Sequence, residues 1–176
     1  MYALTNLREL LLAENKIKLI DEGIGEMREL HYLHLYSNMI NVLDDKIGEC
    51  VKLREFDISS NKLTQLPVTM GNLSQLLNLS LARNKLVTIP AQLAQGMVAL
   101  QELNLSDNKI KFLPDELRCL VSLRKLIVNN NRCTLFPDIR AMTSLQWLEL
   151  GNNRLIEFPL VPNSLVLLNL FSNNIK

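Results

Sequence analysis

An asparagine recurs along this chain at positions 15, 38, 61, 84, 108, 131, 153 and 173, at intervals of 23, 23, 23, 24, 23, 22 and 20 residues. Each lies in one copy of the pattern LxxLxLxxNxL, from Leu7-Leu10-Leu12-Asn15-Ile17 through Leu53-Phe56-Ile58-Asn61-Leu63 to Leu165-Leu168-Leu170-Asn173-Ile175. A regular period of this length is the mark of a stacked array, in which no unit buries its own apolar face and neighbours bury it together. No linker, low-complexity tract or charge run interrupts the 176 residues, so the array is one continuous body.

The physics of the unit is legible. Alternation of apolar residues in LxxLxL predicts a short strand with one buried face. Because each unit turns fully before the next begins, successive strands lie parallel. The asparagine falls where the chain leaves the strand, and its amide has donors and an acceptor for backbone groups in its own turn and the neighbouring unit. Eight such residues (Asn15, Asn38, Asn61, Asn84, Asn108, Asn131, Asn153 and Asn173) are expected to form a ladder. Six residues on stand Pro67, Pro90, Pro114, Pro137 and Pro159, with Asp21 and Asp44 in the first two units. Proline there suits entry to a turn, and the following stretch predicts a short helix or 3₁₀ turn in most units. One residue is added near Gln95-Gly96. The last connection, Pro159 to Ser164, is shorter than the others and is expected to be extended around Pro162.

The motif, its period and the Leu-Pro element of Leu66-Pro67 and Leu113-Pro114 resemble the leucine-rich repeat family over essentially the whole chain, and within it the intracellular Ras-type subgroup of Shoc2-like scaffolds. The resemblance implies an α/β solenoid: a right-handed horseshoe with a concave parallel β-sheet and convex short helices or 3₁₀ turns. Residues 1–176 are then a single domain of about eight repeats. Neither end reads as a polar cap, so Leu165, Leu168 and Leu170 are expected to face water. From this follows the expectation of a segment of a longer chain, or of a partner over the ends.

Composition narrows the function. With 19 Lys+Arg against 18 Asp+Glu the net charge is +1, which argues against nucleic acid or an anionic membrane as the main partner. No apolar run has the length of a membrane span, and the first residues lack a signal-peptide pattern. Cys50, Cys119 and Cys133 are an odd number without a CxxC pair, which argues against a disulfide framework or a zinc site and fits a reducing, cytoplasmic compartment. His31 and His34, both read as strand residues, do not complete a metal site. No phosphate-loop, dinucleotide, zinc-protease or nucleophile-elbow motif is present, so neither a catalytic residue nor a cofactor is expected.

Binding is therefore sought on the concave face, at the strand positions that point away from the core. Strands about 4.8 Å apart would carry eight such rows over roughly 34 Å, enough for a domain or a long peptide. Tyr32, His34 and Tyr36 make an aromatic row on one strand. Trp147, the single tryptophan, is expected near Leu167 and Phe171 at the other end, and such residues are frequent interface anchors; stacking on neighbours is the structural alternative. Between the clusters, Glu9, Glu55, Asp57, Glu102 and Glu149 face Lys125 alone and suit a basic stretch on a partner, although each carboxylate singly is better read as solvated. A third row follows the asparagines: Lys16, Met39, Lys62, Lys85, Lys109, Arg132, Arg154 and Asn174. It reads as a solvated rim whose stems cover apolar surface more readily than as an edge for an acidic partner. The sequons at Asn72, Asn78 and Asn104 read as incidental.

The expected function is a protein–protein interaction scaffold or regulatory module. The resemblance implies partners in the range of small GTPases, kinases, phosphatases or large assemblies, with no nucleic acid and no membrane insertion. A receptor-like ectodomain, the targeting segment of a larger enzyme and a subunit of a large assembly remain open as alternatives.

Overall fold

The computed structural model describes residues 4–176. Every LxxLxL segment forms a three-residue strand. In chain order these are β1 (Glu9–Leu11), β3 (Tyr32–His34), β5 (Glu55–Asp57), β6 (Asn78–Ser80), β7 (Glu102–Asn104), β8 (Lys125–Ile127), β9 (Trp147–Glu149) and β10 (Leu167–Asn169). They form one parallel sheet in that order. Pairing is in register throughout, so Glu9, Tyr32, Glu55, Asn78, Glu102, Lys125, Trp147 and Leu167 make one row across it. Register is enforced by the period of two, because a slip of one residue would turn the leucines outward. From Leu33 to Leu148 the central residue of each strand is buried and its neighbours are partly or fully exposed. Two further strands, β2 (Leu19–Ile20) and β4 (Val42–Leu43), pair in parallel beyond the asparagines of the first two repeats; the repeat pattern does not announce them.

The ladder forms as the amide chemistry requires. The Asn84 side chain donates to Ile58 O of the preceding repeat at 3.0 Å and to Leu81 O of its own turn at 3.1 Å. Its Oδ1 accepts the Leu63 N–H at 3.0 Å. Asn38, Asn61, Asn108, Asn131, Asn153 and Asn173 repeat this three-way bridge. Asn15 departs from the expectation. It is exposed and donates only to Leu12 O and Ala13 O of its own turn, because no repeat precedes it among the described residues. The ladder therefore has seven bridging rungs.

The residue before every asparagine is left-handed: Glu14, Ser37, Ser60, Arg83, Asp107, Asn130, Asn152 and Ser172 have φ between 52° and 58°, and none is glycine. For a residue such as Arg83 this conformation costs about 1 kcal/mol. From Ser37 onward each of these left-handed residues precedes a bridging asparagine, which offsets the cost; Glu14, before Asn15, has no such bridge.

On the convex side, 3₁₀ helices occupy Glu22–Glu26, Asp45–Glu49, Val68–Asn72 and Asp115–Cys119. The segment with the added residue forms α1 (Ala91–Gly96) instead, closed by Met97 N–H to Leu93 O. One extra residue converts an i→i+3 turn into an i→i+4 turn. The stretches after Pro137 and Pro159 form no helix, in keeping with the shortened last connection. Asp21 and Asp44 cap their turns by accepting from Gly23 and Lys46 backbone N–H groups at 3.0 and 2.8 Å. Where proline replaces them at Pro67, Pro90 and Pro114 there is no side-chain cap, and φ between −59° and −69° sets the entry. Glycine at 96 reflects close approach, since a Cβ there would collide with the Gly71 carbonyl. One apolar core runs from Ile24 to Leu155. Leu165, Leu168 and Leu170, expected to face water, are half-buried against it.

Replacing Asn84 with alanine strands the Leu63 N–H in the core, while the Ile58 and Leu81 carbonyls keep their bonds from Asn61 and Asn108, and urea unfolding should show a loss of about 2 kcal/mol. Asn15→Ala, which bridges nothing, should cost less than about 1 kcal/mol in the same assay.

Candidate functional site

The sheet positions its outward side chains by alternation alone, and three zones differ in chemistry. At the N-terminal end Tyr32 is exposed, and His34 Nε2 lies 2.9 Å from Glu55 Oε1. The His34 and Tyr36 rings stack at a tilt, with centroids 6.3 Å apart. Glu55 is thereby taken up by a neighbour and is not a free carboxylate. His31 precedes β3 and does not lie in it; its Nδ1 contacts Glu29 O at 2.7 Å. No cluster of metal-ligating side chains occurs among the described residues.

The centre is a shallow depression of about 190 Å³ lined by Glu55, Asp57, Ser80, Glu102, Asn104 and Lys125, among others. Asp57 Oδ1 accepts the Ser59 N–H at 2.8 Å, and Asn104 Oδ1 accepts the Ser106 N–H at 3.0 Å and its hydroxyl at 2.8 Å. Glu102 is exposed and enters no ion pair among the described residues. The depression is smaller than the pockets that enclose drug-sized molecules, roughly 300–1,000 Å³. It suits side chains of a macromolecule laid across the sheet.

At the C-terminal end Trp147 is 39% exposed yet held. Its Nε1 donates to Glu149 Oε1 at 2.7 Å, and Glu149 Oε2 also accepts from Asn129 Nδ2 at 2.5 Å. Asn129 Oδ1 in turn accepts the Gly151 N–H at 2.6 Å. Lys125 Nζ lies 5.8 Å from the Trp147 ring, a cation–π contact. The register sets Trp147 directly beside Leu167. Phe171 follows four residues after Leu167 and lies against Gly151. There the Phe171 ring occupies the space a Cβ on Gly151 would take. Asn129 and Gly151 were not legible as supports for Trp147. The available signal was Gly151, the one outward position of its row without a side chain.

The thiols are structural. Cys50 and Cys133 are fully buried, with Sγ 3.3 Å from Ile24 O and 3.5 Å from Ile110 O. Burial pushes their thiols up to about 11 and about 12 from 9.0. Both are therefore protonated and poor nucleophiles at neutral pH.

Against known proteins, a profile described as leucine rich repeat matches residues 28–86 and 74–132. No curated protein matches the chain. Among solved structures, a leucine-rich repeat protein of Leptospira interrogans is 32% identical, with a TM-score of 0.72 over 98% of this chain and 50% of its own. The functional domain of InlJ from Listeria monocytogenes is 28% identical, with a TM-score of 0.84 over 98% of this chain and 36% of its own. The ectodomain of the Arabidopsis thaliana membrane receptor kinase GASSHO1/SCHENGEN3, solved with Casparian strip integrity factor 2, is 28% identical, with a TM-score of 0.73 over 96% and 24%. The chain spans half or less of each.

Iodoacetamide on the native protein should label Cys119, which is partly exposed, while Cys50 and Cys133 should react only in denaturant, as read by peptide mass spectrometry. Because the unfolded thiols ionise near 9.0 and the folded ones near 11 and 12, unfolding sheds protons above pH 9. The thiol contribution to stability is thus complete below about pH 9 and falls as the pH rises through the folded values.

Proposed function

This chain belongs to the leucine-rich repeat family, and from that premise we propose that it is a scaffold or regulatory module holding a protein partner across its concave sheet. Family members are typically non-enzymatic binding modules. The observation that carries the reading is the preorganised Trp147: a large, half-exposed anchor fixed by Glu149 and Asn129 on an uncovered sheet. Anchors of this kind lose little entropy on binding. The unpaired carboxylate of Glu102, which lines the same depression as Asp57, favours a cationic segment of the partner between the two aromatic zones.

The finer identity is proposed on the sequence. The 23-residue period and the Leu-Pro element support the Ras-type subgroup, and with it a signalling partner such as a small GTPase, kinase or phosphatase, or a place in a large assembly. Three reduced thiols support residence in the cytoplasm. A second reading, a receptor-like ectodomain for a peptide ligand, is favoured by the likeness to the plant receptor ectodomain solved with its peptide factor. Glycan occupancy of Asn72 and Asn78 on the native protein would select that reading.

Affinity capture with the wild-type chain, followed by titration of the captured partner, tests the proposal. Tyr36→Ala and Trp147→Ala should each weaken binding by more than about 1 kcal/mol with the unfolding midpoint unchanged. Glu102→Lys should weaken it in a salt-dependent manner. Unaltered affinity in all three would move the site off the concave sheet.

A further inference from the structure

A neutral net charge is an average over surfaces of opposite sign. Carboxylates concentrate on the concave sheet and the convex turns, and cations gather on the flank of the solenoid where the chain leaves each strand. Six of the eight residues following the asparagines are Lys or Arg. All six are exposed, and none enters an ion pair among the described residues. The acids on this flank are Glu14, Asp107 and Glu157. Asp107 is already engaged by Arg83 at 4.0 Å and the Asn130 amide at 2.9 Å. Three residues beyond Lys109 and Arg132 the same flank exposes Phe112 (61%) and Leu135 (53%), side by side in adjacent repeats. Strict in-register pairing keeps equivalent residues of successive repeats level, so these positions form continuous rows along the flank.

We propose that this flank is a docking surface for an anionic lipid bilayer, separate from the concave sheet. A row of exposed, unpaired cations matches the negative surface of phosphatidylserine-rich leaflets. Large apolar side chains set among them gain by entering the headgroup boundary. A nucleic acid would use the cations but gain nothing from Leu135, and an acidic peptide would favour a cleft, whereas the depressions lined by Glu102 and by Asp21 lie on other faces. Docking of this kind is peripheral and requires no spanning helix; none in the structure is long and apolar enough to cross a membrane.

The test is co-sedimentation of the chain with phosphatidylcholine vesicles that contain or lack about one-third phosphatidylserine, at low salt. Binding is expected only to the serine-containing vesicles. Lys109→Glu with Arg132→Glu should weaken it about tenfold or more, and Phe112→Ser with Leu135→Ser should weaken it by a smaller factor that persists at high salt. Both pairs are exposed, and retention of the wild-type circular dichroism confirms their folding. Absence of sedimentation with serine-containing vesicles at low salt overturns the proposal. So does equal binding to both compositions, or binding of polyglutamate or a single-stranded oligonucleotide in place of vesicles. Retained capture of a protein partner by the flank variants separates this surface from the concave one.

Discussion

The asparagine amide is the interaction on which the rest of the structure depends. Each one from Asn38 onward takes an N–H from the repeat before it and gives hydrogen bonds to a carbonyl there and another in its own turn. From Asn38 to Asn153 these groups are almost wholly buried. Backbone in such a place has no water to turn to, and an unmade bond costs about 1–3 kcal/mol. The bridge fixes the height of one repeat against the next, and in-register strands follow. It also secures the left-handed residue that precedes it, where Arg83 stands without the help a glycine would give.

A fixed register turns a position in the repeat into a row on the surface. The strand positions facing away from the core become the concave sheet, the residues after the asparagines a cationic flank, and the Pro or Asp positions the entries to the convex turns. Each row is set by stacking and decorated by sequence, so local chemistry varies without strain on the fold. The Trp147 site illustrates this. Gly151 leaves room for the Phe171 ring and offers its N–H to Asn129, which helps hold Glu149 under the indole.

Periodicity made the strands, their parallel order, the ladder and the outward rows legible in the sequence. The residue added near Gln95-Gly96 marked an irregular repeat, which the structure shows as an α-helical turn. What escaped periodicity depends on what lies next to a given repeat. Asn15 carries the motif yet makes no bridge to a preceding repeat among the described residues. The engagement of Glu55 by His34, and of Lys125 by Trp147, depends on rotamers that a motif does not encode. Net charge, read as a single number, hid the division between an acidic sheet and a basic flank.

Amide hydrogen exchange on the native chain tests the ladder most directly. The N–H groups of Ile40, Leu63, Leu86, Ile110 and Cys133, each donated to an asparagine Oδ1 at 2.8–3.0 Å, should be among the slowest to exchange and should be released only with global unfolding. Exchange of these five amides on the timescale of exposed turn residues such as Thr64 and Gln65, whose N–H groups make no hydrogen bond among the described residues, would contradict the account.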